Sequence, residues 1–563
     1  MTSTINIQYR KSTKVKNEDF SFYISFDYRK DIVENIKTLP LRFYNPTSKE
    51  WEIPVSSLGT VIGMFGKEHI IYEGPAIVQD EFVEEEEEDV DDIQFVTKPY
   101  QHQVEGVKFG LKHKKFMLAD QQGLGKTKQV IDIATAKKDK TSKTLIITGV
   151  ASLKWNWLKE IKIHSDECGH VLGMRKNTKD KLVDKGNKAR IEDLENIDNL
   201  NCYFLITNIE SLRNKEIQKH LKKLTSDGTL NIVAIDEIHR GGGKNGQSQA
   251  GKAIHQLQSE YKIALTGTPL VNKPLDLYNI MKWLGYEKRS FYAFRNTYCE
   301  MGGFKGYEVV GYKNMEDLKN KVEKVQLRRL KEDVLDLPEK IRSTDFVELT
   351  GKQKQTYKSV QRELRDQLDE ILELDNPLAK MLRLRQVTSY PKLIKEDVKE
   401  NVKLDRLRQL IGENVKNGEK TIVYSNWTQI TEMLAEELSE CNPAYIVGGS
   451  DTQEEIKKFQ EDDSCKIIIG TIGAMGTGIT LTKASNIIFY DRPWNFSTVE
   501  QAEDRAHRIG TTKNVNIVSL VVKDSIDEVV EEIINTKKDL SDLLVDGKLE
   551  HLSKYDLIER ILE

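Results

Sequence analysis

From about residue 95 onward, short runs of consecutive apolar positions recur along the chain: Phe116–Leu118, Thr144–Gly149, Cys202–Thr207, Asn231–Asp236 and Lys262–Thr266. After a gap the rhythm resumes with Thr421–Ser425, Lys466–Gly470, Asn486–Tyr490 and Val515–Leu520. Each run lacks a polar face, and stretches with helical periodicity separate them. A strand apolar on both faces must be covered on both, as in a parallel sheet flanked by helices. Two such sets predict two α/β lobes, spanning 95–342 and 343–563. Between the two sets, residues 271 to 410 read as mostly helical, with charged amphipathic stretches at Lys352–Leu374 and, at the end, Leu404–Val415, which predicts helical insertions and an inter-lobe connection.

Residues 1–79 are patterned differently. They are rich in aromatic and β-branched residues: Phe20–Tyr28 alternates loosely, and Arg42–Tyr44 and Glu50–Ile53 flank the turn-like Asn45–Lys49. A small α+β module is expected there. Ten acidic residues among the thirteen from Asp80 to Asp92 then interrupt the chain. Like charges repel and cannot pack a core, so 80–94 is expected to be a linker.

Composition narrows the class. At about 150 residues per domain, 563 residues suggest three or four domains. With 38% hydrophobic and 31% charged residues the chain is globular rather than disordered. No run approaches the ~18 apolar residues of a membrane helix, and Met1–Arg10 lacks the apolar core of a signal peptide. These features predict an intracellular protein without membrane partners, cytoplasmic in a prokaryotic or viral source, and monomeric. The net charge is −4, but ten of the 89 acidic residues lie in the one run. The remaining body is basic and compatible with a polyanion partner. Cys168, Cys202, Cys299, Cys441 and Cys465 form no Cys-x-x-Cys pair and are expected to be reduced core thiols. His164, Cys168 and His170 are three potential metal donors without a fourth nearby, which argues against a metal centre.

The chemistry is concentrated in a few motifs. Ala119–Thr127 follows an apolar run and opens a helix, the context in which backbone amides and the helix dipole cradle phosphates. Gly123 and Gly125 let the backbone come close around Leu124, Lys126 would reach the β- and γ-phosphates, and the Thr127 hydroxyl would ligate Mg2+. The strict pattern has glycine where this chain has Asp120. Asp236 and Glu237 end a buried strand, where the aspartate can hold the metal and the glutamate can polarise a water. In the second lobe Gln501, Arg505 and Arg508 are spaced i, i+4 and i+7, one face of an expected helix. Arginines there would stabilise the charge of a transferring phosphoryl group from across a cleft, so that hydrolysis requires the lobes to close.

With these motifs in order, the chain resembles the Swi/Snf-type ATPases of helicase superfamily two over about 95–535. Lys98–Gly106 resembles the family's glutamine motif, and its spacing selects Gln103 to read the adenine edge. Asp120–Thr127 resembles the family's form of the phosphate loop, which lacks the first glycine. Leu265–Pro269 with Asn272 is similar to the motif that couples nucleotide state to the DNA groove, implicating Thr266, Gly267 and Thr268. Leu327–Val334 followed by Leu337–Pro338 resembles the inter-lobe segment, and Asp491–Asn495 and Asp504–Gly510 resemble the second-lobe signatures. The chain departs from the family at Gln121, Gln122, Gly149–Val150, Ala474–Thr480 and Thr511.

The resemblance implies two RecA-like lobes using ATP and Mg2+. By position, it places DNA contacts on Ser152, Thr207 and Asn208 in the first lobe, and on Ser425, Asn426, Thr477, Gly478 and Trp494 in the second. The short build and the N-terminal Tyr28, Lys37, Arg42–Tyr44 and Trp51 resemble the annealing-helicase branch, whose accessory module recognises branched DNA. The expected function is that of a translocase on double-stranded or branched DNA, acting in fork remodelling, strand annealing or protein displacement. An ATP-switched scaffold with vestigial hydrolysis and a strand-separating helicase are the alternatives. The acidic run reads as a solvated linker, with an autoinhibitory DNA mimic as its alternative.

Overall fold

The computed structural model describes residues 5–14, 20–37, 39, 41–54, 57, 61, 64–65, 70–73, 93–151, 153–178, 182–241, 248–267, 274–302, 308–368, 370, 380–448, 452–475, 479–493, 496–532 and 561–562. The acidic run lies outside them.

The first residues form a five-stranded sheet from β1 (Ile5–Lys11), β2 (Phe20–Phe26), β3 (Phe43–Asn45), β4 (Glu50–Ile53) and β5 (Ile70–Glu73), in the order β3-β4-β2-β1-β5. Only the β1–β5 pair is parallel. Helix Lys30–Lys37 packs Ile32 and Ile36 into the same core as Ile7, Phe22, Ile24 and Trp51. This is the expected α+β module. Its predicted turn joins β3 to β4: Asn45 Oδ1 accepts from the Thr47 N–H at 3.0 Å, and Lys49 takes a left-handed φ of 57°. Among the aromatic residues grouped in the sequence, Trp51 is a core residue, whereas Tyr28 is 82% exposed. The buried Glu52 carboxylate accepts from the Ser12, Thr13 and Ser21 hydroxyls and from the Thr13 and Lys14 N–H groups. Burial alone would raise its pKa, but these bonds outweigh burial and hold it at about 2.

Lobe one is built on β6 (Lys115–Leu118), β7 (Lys143–Thr148), β8 (Gly169–Val171), β11 (Phe204–Asn208), β12 (Leu230–Asp236), β13 (Tyr261–Leu265) and β16 (Gln326–Leu327). These form a wholly parallel sheet in the order β16-β6-β13-β12-β7-β11-β8. Two small hairpins decorate it, β9 (Met174–Lys176) with β10 (Leu182–Asp184), and β14 (Cys299–Gly302) with β15 (Glu308–Tyr312). Lobe two contains β17 (Lys340–Val347), β18 (Lys420–Ser425), β19 (Ala444–Ile446), β20 (Ile467–Thr471), β21 (Ala484–Phe489) and β22 (Val515–Val522), parallel in the order β17-β22-β21-β18-β20-β19. Each sheet has apolar clusters on both faces, which is why the central strands are apolar at successive positions. The two-lobed α/β architecture is therefore as expected.

Several local expectations are corrected. The boundary between 342 and 343 falls inside β17, all of which pairs with β22, so the second sheet begins at Lys340. The 271–410 region contains the helices Leu277–Leu284, Phe291–Tyr298, Met315–Glu323, Gly351–Asp366, Leu382–Ser389 and Val402–Lys416, but the β14–β15 hairpin and β17 interrupt them. Cys168 and Cys202 are paired as a disulfide rather than being reduced core thiols. The parallel pairing of β8 with β11 brings the residues just before each strand together, and the Cys168 carbonyl accepts from the Tyr203 and Phe204 N–H groups. Cys299 and Cys465 are buried thiols, and Cys441 is half-buried. His164 lies against Thr97 and Glu160, and His170 against Asp193, so each ring already has protein partners. Among the described residues, no helix is long and apolar enough to cross a membrane.

Candidate functional site

The carboxyl ends of β6, β12 and β13 lie side by side in the lobe-one sheet, and the loops leaving them carry the predicted residues. Helix Lys126–Ala136 starts from Gly125, which takes a left-handed φ of 79°, and Gly123 does the same at 93°. Such backbone suits glycine and turns amide groups inward, forming an anion-binding concavity at a helix start. The loop is also tightly supported. A Cβ on Gly125 would come within 2.3 Å of Gln103 Nε2. Gln103 Nε2 donates to the Leu124 carbonyl at 3.3 Å, and its Oε1 accepts from the Tyr100 N–H at 3.1 Å. Both ends of that amide are therefore bonded within the protein. Lys126 Nζ donates to the Asp120 carbonyl at 2.6 Å. Burial lowers the Lys126 pKa, while Glu237, Asp120 and Asp236 pull it up.

Asp120, at the place of the missing glycine, is fully buried and paired with Arg329, whose Nε and Nη2 reach Oδ1 and Oδ2 at 3.0 and 2.6 Å. Arg329 also donates to the His102 carbonyl and, at 3.0 Å, to Gln129 Oε1. One guanidinium thus joins the loop to the helices on either side of it.

The two carboxylates stand beside this loop. Trp157 Nε1 donates to Asp236 Oδ2 at 2.9 Å. Burial, and then the neighbouring Glu237, push the Asp236 pKa up to about 6. Glu237 takes a left-handed φ of 50°, and its buried Oε2 accepts no hydrogen bond, with His239 Nδ1 3.4 Å away. Gly149 makes room for this turn, since a Cβ there would lie 2.7 Å from that of Glu237. His239 Nδ1 is also 3.2 Å from Thr266 Oγ1, and burial holds the ring pKa down at about 4. A Cβ on Gly267 would lie 3.5 Å from Lys126 Nζ, so of the expected coupling residues Thr266 contacts His239 beside Glu237 and Gly267 lies next to the lysine. Thr268 lies outside the described residues.

In lobe two, the expectation of Gln501, Arg505 and Arg508 along one helical face is corrected. The helix runs only from Phe496 to Glu503, and turns follow. The carbonyls that would continue the ladder are diverted: Arg505 O accepts from the Leu481 N–H at 2.9 Å, and His507 O from Lys331 Nζ at 2.7 Å. Arg505 Nε donates to the Gln501 carbonyl at 3.0 Å, and Arg508 Nη1 to Thr480 Oγ1 at 2.9 Å. Burial lowers both arginine pKa values; Glu237 and Glu160, both from lobe one, are among the carboxylates that pull on Arg505 and Arg508 respectively. A Cβ on Gly123 would meet Lys331 Cε at 3.1 Å and Arg508 Cβ at 3.4 Å. The phosphate loop therefore faces the arginine turn of the other lobe.

The Asp236 carboxylate and the Thr127 hydroxyl are oxygen donors beside an amide-lined loop, and the buried Glu237 Oε2 is unbonded nearby. That donor set fits a hard divalent cation such as Mg2+.

Among the described residues, those placed on DNA by position are mostly internal. Thr207, Asn208 and Ser425 are buried. Asn208 accepts from Ser211 Oγ at 2.8 Å, Ser425 Oγ donates to Asp491 Oδ2 at 2.5 Å, and the Asn426 N–H donates to Asp491 Oδ1 at 2.8 Å. Ser152, Thr477, Gly478 and Trp494 lie outside the described residues. Sequence reasoning gave no role to Trp157, Arg329 or Lys331, although the last two lie in the inter-lobe segment it singled out.

Residues 102–393 match the SNF2-related domain, and residues 402–510 match the helicase conserved C-terminal domain. The putative ATP-dependent helicase/translocase of Bacillus subtilis is 26% identical over 78% of this chain and 48% of its own length. The DNA annealing helicase and endonuclease ZRANB3 of Mus musculus is 25% identical over 81% of this chain and 41% of its own. The chain spans less than half the length of the bacterial curated relatives it matches. Among solved structures, the Sulfolobus solfataricus SWI2/SNF2 ATPase core in complex with double-stranded DNA is similar with 24% identity and a TM-score of 0.35, covering 83% of this chain and 99% of that one.

Proposed function

Because the chain belongs to the SNF2-related domain family, we propose that it is a DNA-dependent ATPase that translocates along double-stranded or branched DNA and remodels DNA or protein–DNA complexes. The observation that carries this reading is the approach of Arg508 and Lys331 to Gly123, which makes the phosphate loop and the arginine turn two walls of one cleft.

In this reading the 123–127 loop takes the phosphates of ATP, with Lys126 against the β- and γ-phosphates. Gln103 and Gln501 flank the nucleotide; adenine recognition by Gln103 would exchange its bond to Leu124 for one to the base. Thr127 and Asp236 would hold Mg2+, which supplies charge neutralisation between the phosphates. Glu237, whose Oε2 has no hydrogen-bond donor of its own, orients the attacking water. Arg505 and Arg508 offset the charge developing on the transferred phosphoryl group, which requires both lobes and so ties hydrolysis to closure. Thr266 and Gly267, in contact with His239 and Lys126, carry the nucleotide state toward the DNA side. The DNA contacts implied by position at Ser152, Thr207, Asn208, Ser425, Asn426, Thr477, Gly478 and Trp494 would be made to phosphates without reading sequence. Of these, Thr207, Asn208 and Ser425 are buried and would take part through the strand ends they hold in place. The relatives named as helicase/translocase and as annealing helicase support a role in translocation or strand annealing.

The test is steady-state ATP hydrolysis without nucleic acid and with duplex, single-stranded and forked DNA and RNA, using Lys126→Ala as the blank, beside a forked-duplex strand-release assay. Stimulation by duplex or fork, abolished in the blank and without strand release, is expected. No stimulation by any DNA, or net strand separation, would overturn the translocase reading.

A further inference from the structure

We propose that Lys331 is a second phosphate-binding lysine of the nucleotide cleft, carried by the inter-lobe segment instead of the phosphate loop. The proposal rests on the ATP site described above and adds a residue to it.

Lys331 is only 4% exposed. Its side chain lies along the loop, Nζ being 3.3 Å from where a Cβ of Gly123 would stand. Its backbone is fixed to the same loop: the Lys331 N–H donates to Gln121 Oε1 at 2.8 Å, and the Gln121 N–H donates to the Arg329 carbonyl at 2.9 Å. Only the flexible side chain is free to redirect the ammonium. Its present partners are in lobe two, Asp504 Oδ1 at 2.8 Å and the His507 carbonyl at 2.7 Å. Asp504 has a second cation, Lys340, at 2.7 Å. Transfer of Lys331 to a phosphate would therefore leave Asp504 still paired, so the exchange avoids the large cost of an isolated buried charge. Burial holds the Lys331 pKa down at about 8 despite Asp504, the mark of an ammonium short of negative charge, which a phosphate supplies. Asp504 and His507 flank Arg505 and adjoin Arg508. Taking Lys331 from them would report phosphate occupancy to the arginine turn.

The experiment is fluorescence titration of the full chain with a non-hydrolysable ATP analogue, ADP and AMP, for the wild type, Lys331→Gln, Lys331→Arg, Asp504→Asn and Lys126→Ala. Loss of one charge-assisted contact predicts that Lys331→Gln weakens the ATP analogue by about tenfold or more. AMP binding is expected to be unchanged, Lys331→Arg to restore most of the loss, and Asp504→Asn to tighten the ATP analogue. Equal losses for all three nucleotides, or none, in Lys331→Gln would show a structural role only and overturn the proposal. If Lys331→Gln does not fold, Asp504→Asn decides: unchanged or weaker binding overturns the proposal. Loss of binding in Lys126→Ala alone sinks only the proposal, whereas intact binding in Lys126→Ala sinks the ATP site itself.

Discussion

Arg329 and Asp120 form a two-point ion pair, Nε to Oδ1 at 3.0 Å and Nη2 to Oδ2 at 2.6 Å, with the carboxylate fully buried. The aspartate thus stands in the phosphate loop for a structural reason: it anchors the loop to the inter-lobe segment. Breaking a buried pair by removing one partner strands the other, at a cost of about 3–5 kcal/mol. Arg329→Ala is therefore expected to lower the melting temperature of lobe one by several degrees and to weaken ATP binding. Arg329→Lys should recover little of this, because an ammonium lacks the planar fork. Melting curves and nucleotide titrations of both variants check this; an Arg329→Ala protein that melts and binds as wild type would refute the anchoring role.

The two loop glycines should fail differently. At Gly125 a side chain meets both the left-handed φ of 79° and Gln103 Nε2 at 2.3 Å. The backbone cost alone is about 1–2 kcal/mol. Gly125→Ala is expected to displace Gln103 and to weaken nucleotide binding by an order of magnitude or more. At Gly123 the left-handed φ of 93° brings the same backbone strain, but the nearest atoms, Lys331 Cε at 3.1 Å, Lys331 Nζ at 3.3 Å and Arg508 Cβ at 3.4 Å, belong to the inter-lobe segment and to lobe two. An added methyl there presses on the opposite wall of the cleft and leaves Gln103 in place. Gly123→Ala should chiefly lower kcat, with a smaller change in KM. Equal effects of the two substitutions on kcat and KM would contradict this division of labour.

The central strands were legible because burial on both faces leaves an unbroken apolar run, as in Ile232–Ile235 and Ile467–Ile469. Edge strands carry no such mark. β17 reads Lys-Ile-Arg-Ser-Thr-Asp-Phe-Val, is half exposed and pairs on one side only, so its polar sequence concealed it. In the site, residues adjacent in sequence were legible, as with Asp236 and Glu237. Trp157 and Arg329 were not, since their partners lie 79 and 209 positions away and only the sheet brings them together. The 501–508 spacing misled for the same reason. Helical periodicity is local, whereas the Leu481 N–H and the Lys331 ammonium that take the ladder's carbonyls come from distant segments.

The charge cluster behind the arginine turn gives lobe two a pH dependence of definite sign. Lys340 bridges Asp504 and Glu503 at 2.7 and 3.3 Å, Arg342 pairs with Glu503 at 2.6 Å, and Glu500 lies on the same helix. Burial, and then Asp504, push the Glu500 pKa up from 4.5 to about 7. The folded state therefore holds this proton more tightly than the unfolded chain does. The contribution is fully present below the unfolded value of 4.5 and is lost as pH rises through about 7. At about 1.4 kcal/mol for each tenfold difference in proton affinity, the full loss is on the order of 3 kcal/mol. Glu500→Gln, which cannot ionise, is expected to be more stable than wild type at pH 8 and to differ little at pH 4.5. Asp504 behaves oppositely: burial would raise its pKa, but Lys340 and Lys331 hold it at about 2, so its contribution survives throughout this window. Denaturant melts of wild type and Glu500→Gln at pH 4.5, 6 and 8 measure the difference, and a stability gap that does not widen with pH would show that Glu500 is ionised in the folded protein.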